Sequence, residues 1–186
     1  RRAPRSRPKP SSAASDVYKR QVKWHPDGKQ VATASRDKTA KVYDVTSGKR
    51  ISTFSGHPES VRAVDFHSNG REVLSAGDHG HLFLWRIEDG RKIADRAKFE
   101  GPILRLLDGG DGLFVSAPGG VVVQFNPEDH KRLREFKIEP PEGTEVPIIS
   151  SLAAHGRWLA VGTLKGKVAV FDTESGERRM IFLAKP

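Results

Sequence analysis

The chain has 186 residues, no cysteine and a formal net charge of +9 at pH 7. The absence of cysteine excludes disulfides and thiolate metal sites. The length suffices for one substantial hydrophobic core, and no apolar run approaches the roughly 18 residues that a membrane-spanning helix needs. The positive charge by itself favours a nucleic acid or an anionic membrane as partner, so the positions of the basic residues along the chain matter.

The first 21 residues differ in character from the rest. Residues 11–21, SSAASDVYKRQ, match without a gap one reading frame of the transposase adapter used to prepare DNA for sequencing. The preceding RRAPRSRP resembles the adjoining part of that adapter and differs only at Ala3 and Arg7. We therefore expect residues 1–21 to be a disordered artefact of library preparation. The alternative is a genuine basic tail rich in Pro and Ser.

Setting this segment aside changes the inference from charge. The 32 basic and 23 acidic residues of the chain become 25 and 22 in residues 22–186, a net charge of +3. The two signs are interspersed there, as on an ordinary soluble surface. We therefore expect no nucleic-acid partner, and the sequence shows no membrane segment.

The rest of the chain repeats with a period near 40 residues. At an offset of 42, Tyr43 falls on Trp85. Further copies at offsets of 40 and 46 bring Phe125 and then Phe171 to the same position. The longer last offset reflects an insert rich in Pro and Glu, residues 138–147. The sequence therefore contains four copies of one structural unit.

Within each copy, short apolar runs of period two are separated by Asn, Asp and Gly, which favours strands and tight turns. The first two copies predict strands at 22–25, 31–35, 40–45, 50–55, 61–66, 72–76, 82–87 and 92–99. The last two predict strands at 103–107, 113–116, 121–125, 132–137, 148–153, 158–162, 167–171 and 179–183. A four-stranded antiparallel unit of about 40 residues is one blade of a β-propeller. The prediction is an all-β propeller with blades at about 22–55, 61–99, 103–137 and 148–183.

One motif points to a family. Gly56-His57 is followed 28 residues later by Trp85, with VRAVDF and EVLSAG between them, and this resembles the WD40 repeat. The resemblance is clearest over residues 22–99 and extends to 186 only through spacing and aromatic positions. It implies a larger closed ring, so we expect this chain to be an open arc of about four blades. A closed four-bladed ring is the alternative.

The resemblance also implies roles for individual residues. In WD40 proteins a His, a Ser or Thr, an Asp and a Trp form a hydrogen-bonded chain inside a blade. Structural roles follow for Asp37, Tyr43, Gly56, His57 and Trp85. The second copy departs from the pattern, because His79 stands at the Asp position and Asp78 comes one residue early. The last two copies lack the Gly-His pair, so we expect an incomplete network.

No pattern typical of catalysis is present. His79 and His81 form a candidate metal pair, because residues two apart on a strand share a face, but no further ligand stands at a recognisable spacing. The glycine-rich stretches 109–112 and 118–120 lack the Lys-Ser/Thr of a phosphate-binding loop. We expect no catalytic residue, no metal and no cofactor, and hence no enzymatic activity.

The resemblance favours an interaction scaffold. In WD40 proteins the loops from strand two to three, and from strand four to the next blade, share one rim that commonly binds partners. Arg36, Arg62 and Asp78 are the candidate partner contacts on that rim, whereas Trp158 is expected in the core. The function predicted is a non-catalytic scaffold that binds a protein or peptide. The alternative is the propeller portion of a multidomain enzyme, such as a bacterial kinase or a quinone-dependent dehydrogenase.

Overall fold

A computed structural model describes residues 18–109, 112–140 and 145–183. Sixteen strands account for the regular structure of these residues. The first eight are β1 Lys19–Trp24, β2 Gln30–Ser35, β3 Ala40–Asp44, β4 Arg50–Phe54, β5 Val61–Phe66, β6 Glu72–Gly77, β7 His81–Arg86 and β8 Lys92–Lys98. The others are β9 Leu106–Asp108, β10 Leu113–Ala117, β11 Val121–Phe125, β12 Arg132–Lys137, β13 Ile149–His155, β14 Trp158–Thr163, β15 Lys167–Asp172 and β16 Arg178–Leu183.

The strands form four antiparallel sheets of four strands, each with its strands in chain order. These sheets are the blades of a β-propeller, which confirms the predicted fold class. Blades 1 to 4 consist of β1–β4, β5–β8, β9–β12 and β13–β16. The first strand of each blade contacts the first strand of the next, so β1, β5, β9 and β13 line the axis.

Two inner strands, β1 and β9, start three residues away from their predicted first residues. β1 begins at Lys19, because residues 19–21 pair with β2 through backbone groups and need no particular side chains. Residues 1–17 of the predicted artefact segment lie outside the described residues. β9 begins only at Leu106, because the backbone N–H groups of Leu104 and Arg105 donate to Ser116 Oγ at 3.1 and 2.8 Å. The side-chain hydroxyl thus replaces the strand partner that the prediction assumed.

Apolar packing joins each blade to the next. Three buried clusters lie between blades 1 and 2, blades 2 and 3, and blades 3 and 4. Each cluster combines aliphatic side chains of both blades with aromatic rings, which include the equivalent third-strand residues Trp85, Phe125 and Phe171. Burying a side chain of Leu or Phe size contributes about 1.5–3 kcal/mol, so these clusters are the main source of stability.

The outward faces of the first and last blades lack this cover. Val22 and Trp24 in β1 are 54% and 61% exposed. Their repeat equivalents in blade 2, Val64 and Phe66, are 0% and 4% exposed because blade 1 covers them. At the other end, the side chain of Phe182 in β16 is exposed. These exposed apolar faces agree with the expected open arc.

Polar contacts near the axis join neighbouring inner strands. The Val64 N–H donates to Gln21 Oε1 at 2.7 Å, and the Asp108 N–H donates to Asp65 Oδ2 at 3.2 Å. Lys23 Nζ lies 3.0 Å from the same Asp65 oxygen. Burial raises the pKa of the Asp65 carboxyl, and the Lys23 charge opposes this shift only in part. The inner strands are thus held in register by side chains as well as by apolar packing.

A hydrogen-bonded chain crosses blade 2. Trp85 Nε1 donates to Ser75 Oγ at 3.1 Å, and His57 Nε2 lies 2.7 Å from the same oxygen. In blade 1, strand register places Thr33 at the position of Ser75, and the buried Thr33 hydroxyl has no partner among the described residues. In blades 3 and 4 the same register places Val115 and Val161 there. Apolar packing therefore replaces the polar chain in half of the blades.

We expect Ser75→Ala to lower the free energy of unfolding by about 1–3 kcal/mol, because it leaves the buried Trp85 and His57 nitrogens without their partner. Thr33→Val is the matched control, since it removes an equivalent hydroxyl that makes no hydrogen bond, and it should change stability little. Urea unfolding followed by tryptophan fluorescence measures both. Equal losses of unfolding free energy in the two variants would contradict the stabilising role assigned to the hydrogen bonds of His57, Ser75 and Trp85.

Stability should also depend on the protonation of His57. Burial, followed by the positive charges of His81 and His79, lowers the pKa of the His57 imidazole from 6.5 to about 4. The folded state therefore binds this proton less well than the unfolded state, and stability falls as pH drops from 6.5 towards 4. The shift corresponds to about 3 kcal/mol in total and about 2 kcal/mol by pH 5.

Urea titrations of the wild type and His57→Gln at pH 7 and pH 5 isolate this contribution, because the carboxylates titrate in both proteins. We expect the variant to be less stable than the wild type at pH 7. Between pH 7 and pH 5, its loss of stability should be smaller than that of the wild type by about 2 kcal/mol. Identical pH dependences would show that His57 is not held neutral in the folded state.

Candidate interaction rim

At one end of the propeller, the turn after the second strand of a blade contacts the segment that precedes the first strand of that blade. The Asp78 N–H, in the turn after β6, donates to Ser60 O before β5 at 3.0 Å. In blade 4 the Leu164 N–H donates in the same way to Ile148 O at 3.0 Å. We call this end the rim, and it comprises Tyr18 and residues 35–39, 60–62, 77–80, 102–105, 117–120, 145–150 and 163–166. Of the insert 138–147, residues 141–144 lie outside the described residues.

The structure brings two of the three predicted rim residues together. Arg62 Nε donates to Asp78 Oδ1 at 2.6 Å, and both side chains are partly exposed. Arg36 also lies on the rim and is exposed, but it belongs to blade 1 and takes no part in this pair. Its backbone N–H donates to Tyr18 O at 3.1 Å.

A β-bulge sets the position of Arg62. Val61 pairs with Gly77 and Ala63 with Ala76, so Arg62 is the extra residue of the bulge. Equivalent bulges place Arg20 in blade 1 and Ser150 in blade 4. Bulges redirect side chains at the ends of strands. Here the bulge residues line a cavity of about 220 Å³ at the inner edge of the rim.

Arg105 is a member of this cavity that sequence reasoning missed. Its Nε donates to the carbonyl oxygen of Ser150, and its Nη1 donates to Leu104 O at 2.6 Å. These bonds fix the guanidinium between blades 3 and 4. The one signal in the sequence is an arginine within the otherwise apolar run ILRLL at 103–107.

An exposed apolar patch lies beside the arginines. Val146, Ile148 and Leu164 are 53%, 52% and 68% exposed. A second cavity of about 240 Å³ is lined by Pro102, Leu104, Ser116, Ala117, Pro118, Gly119, Gly120 and residues 146–149. It shares Leu104, Ile148 and Ile149 with the arginine cavity. Exposed apolar patches rimmed by polar residues are typical of interaction sites.

The other residues to which the resemblance gave structural roles lie away from these cavities. Asp37 Oδ1 accepts from the Thr39 N–H at 3.0 Å, and Asp37 Oδ2 lies 3.0 Å from Lys41 Nζ. Burial opposes ionisation of Asp37, but hydrogen bonds from Thr39, Lys41 and Ser35 outweigh it and lower the pKa of the carboxyl.

Tyr43 pairs with Val31, as Trp85 pairs with Val73 in blade 2. Gly56 makes room for the ring of Phe54, because a Cβ there would lie 2.5 Å from Phe54 Cζ. Both positions thus shape the blades.

Trp158 corrects an expectation, because it lies outside the core and is 42% exposed. It is the first residue of β14 and pairs with Asp172, one position before the buried Leu159. The guanidinium of Arg157 lies 5.6 Å from the centre of its ring. Trp158 stands at the end of a hairpin, where an outward-facing aromatic ring remains exposed to solvent, and the prediction did not consider this position.

Two arrangements resemble catalytic or metal sites. His57 and Ser75 have the spacing of a base and a nucleophile, but Ser75 is 0% exposed and its oxygen also accepts from Trp85, so a substrate has no access. The rings of His79 and His81 stack with centroids 4.7 Å apart, and His81 Nδ1 lies 2.6 Å from Asp95 Oδ2. No group of three or more potential metal ligands occurs in the part of the chain that the structure describes.

Comparison with known proteins agrees with this architecture. Residues 12–44 and 48–86 match the family model described as "WD domain, G-beta repeat". Residues 12–86 thus contain two WD40 repeats. The two matches fall on blades 1 and 2, where the resemblance in the sequence was clearest, and the recognition of the WD40 repeat is confirmed.

Two curated relatives are longer than this chain. Transcription initiation factor TFIID subunit 5 of Caenorhabditis elegans is 34% identical over 108 residues, which cover 56% of this chain and 16% of that protein. Eukaryotic translation initiation factor 3 subunit I of Candida glabrata is 24% identical over 176 residues, which cover 84% of this chain and 49% of that protein. The chain thus spans half or less of the length of these relatives.

A solved structure shows the same fold. The computationally designed Ika8 protein matches with a TM-score of 0.69 and 20% identity, over 83% of this chain and 46% of that chain.

No helix in residues 18–109, 112–140 or 145–183 is long and apolar enough to span a membrane.

Proposed function

We propose that this chain is a WD40-type scaffold that binds a protein or peptide partner through the rim and catalyses no reaction. The observation that carries the proposal is the exposed patch of Val146, Ile148 and Leu164 beside the cavity that holds Arg62 and Arg105. Partner binding would remove this apolar surface from water at about 25 cal/mol per Å².

The rim is also suited to binding because its groups are held in place before a partner arrives. Arg62 is fixed by Asp78, and Arg105 is fixed by two carbonyl oxygens. Pro102, Pro118 and Pro147 stiffen the segments around the apolar cavity. Preorganised groups lose less conformational entropy on association, which raises affinity without additional contacts.

The relatives support a protein partner. The TFIID and initiation-factor relatives are both named as subunits, and a subunit contacts other proteins. The buried position of the His57–Ser75 pair supports a non-catalytic role, because this base–hydroxyl pair is closed to substrates.

Selection of short random peptides on the immobilised chain tests the proposal. We expect specific peptides to be enriched. Their affinity should fall about tenfold or more, or about 1.4 kcal/mol, when Ile148→Asp and Leu164→Asp are combined, because the partner would then bury unpaired charges. Fluorescence anisotropy measures the affinity.

Val45→Asp is the matched control. Val45 is 43% exposed and lies at the opposite end of the propeller, where its N–H donates to Lys29 O at 2.9 Å. This variant should bind the selected peptides as the wild type does. Failure to enrich any peptide, or equal loss in Val45→Asp, would contradict binding through the rim.

A further inference from the structure

The two neighbouring cavities of the rim differ in chemistry. We propose that they bind adjacent residues of one peptide: an anionic group, carboxylate or phosphate, on Arg62 and Arg105, and an apolar side chain in the cavity beside them. The inference rests on the proposed function and names the chemistry of the partner at that site.

Both arginines are anchored through Nε. Arg62 donates this group to Asp78, and Arg105 donates it to Ser150 O. Within the described residues, the Nη groups of Arg62 and Nη2 of Arg105 form no hydrogen bond, whereas Nη1 of Arg105 donates to Leu104 O. A guanidinium that is fixed at Nε and open at Nη suits a charge-assisted hydrogen bond to an oxyanion, because little side-chain entropy is lost on binding.

The charge balance of the cavity favours an anion. Its described lining residues include three arginines and no acid: Arg20, Arg62, Leu104, Arg105, Ile148, Ile149, Ser150 and Leu164. Asp78 lies against Arg62 and offsets one positive charge, so Arg105 contributes a net positive charge even without Arg20. We base the proposal on Arg62 and Arg105, because Arg20 belongs to the segment 1–21.

The adjoining apolar cavity determines which type of side chain the next residue of the peptide should carry. Leu104, Ile148 and Ile149 line both cavities, so one wall separates the arginines from the apolar pocket. The far side of that pocket carries Pro102, Pro118 and Pro147, which offer apolar surface and no side-chain hydrogen bond. A peptide that crosses this wall therefore places a charged and an apolar side chain on its two sides.

We expect tighter binding when both cavities are filled than when either is filled alone. Ion pairs at partly exposed sites are weakened because water screens them. Burying one apolar side chain of Leu size contributes further affinity. Adding the apolar residue should therefore strengthen binding by about tenfold, and removing the charge should reduce occupancy of the arginine cavity.

The test is a titration of the arginine Nε–Hε signals in NMR spectra of the full chain. The probes are the N-acetylated dipeptide amides Leu-Glu, Gly-Glu and Leu-Gln, and a Leu-phosphoserine analogue that separates phosphate from carboxylate. We expect saturable shifts of Arg62 and Arg105 with Leu-Glu, Leu-phosphoserine or both. Leu-Glu should half-saturate at about tenfold lower concentration than Gly-Glu, the ratio that corresponds to about 1.4 kcal/mol. Leu-Gln should leave both signals in place.

Arg86 is the internal control, because its Nε also donates to an aspartate, Asp89, at 3.1 Å, but at the opposite end of the propeller. Its signal should not move. Arg105→Gln should abolish the Leu-Glu shift of Arg62 or weaken it about tenfold, whereas Arg86→Gln should leave it unchanged. Amide spectra of each variant report whether the fold is intact.

The inference is overturned if neither arginine responds saturably to the anionic probes, if Arg86 responds equally, or if Leu-Gln acts as Leu-Glu does. Equal binding of Leu-Glu and Gly-Glu would overturn the pairing of the two cavities. If selected peptides need Ile148 and Leu164 but leave both arginine signals unmoved, the scaffold function stands and this inference falls. If no peptide binds the rim and neither arginine responds, both fall.

Discussion

Apolar packing between neighbouring blades is the interaction on which the rest of this structure depends. Each sheet has two apolar faces, and a single four-stranded sheet cannot cover both. Three clusters cover the faces between neighbouring blades, and each combines aliphatic side chains with an aromatic residue at the same position of the third strand. This repetition fixes the spacing of the inner strands, and thereby the positions of the bulges and turns that form the rim. The binding surface is thus a consequence of the blade stack.

Hydrogen bonds within the blades supplement this apolar packing. The chain of His57, Ser75 and Trp85 is built into one blade, while Val115 and Val161 occupy the Ser75 position in the last two. Unpaired buried polar groups are costly, so a fully bonded polar chain and a fully apolar one are both stable, whereas a partial one is not. The Thr33 hydroxyl, which has no partner among the described residues, is the partial case, and it lies in blade 1, one of the two blades with an exposed outer face.

The sequence was most informative where structure depends on local periodicity. The offset of 42 between Tyr43 and Trp85 predicted the blades, because strand alternation and turn residues are encoded within a few positions. Sequence analysis missed the late start of β9, where the Ser116 hydroxyl accepts hydrogen bonds from backbone N–H groups about eleven residues earlier in the chain. It also missed Arg105 and the patch around Ile148 and Leu164, because these side chains become neighbours only when blades 3 and 4 pack together. Arg62 and Asp78 were both named as candidate rim residues, but their pairing depends on the bulge.

Hydrogen exchange of the backbone amides, resolved by blade, tests most directly whether blade-to-blade packing stabilises the fold. Blades 2 and 3 are covered on both faces, whereas blades 1 and 4 each have one exposed apolar face. Amides in strands with few buried contacts open at lower free energy. We therefore expect the slowest exchange in the central strands of blades 2 and 3 and faster exchange in the corresponding strands of blades 1 and 4. Equal protection of all four blades would contradict this account, because it would mean that the outer faces are covered or that each blade is stable by itself.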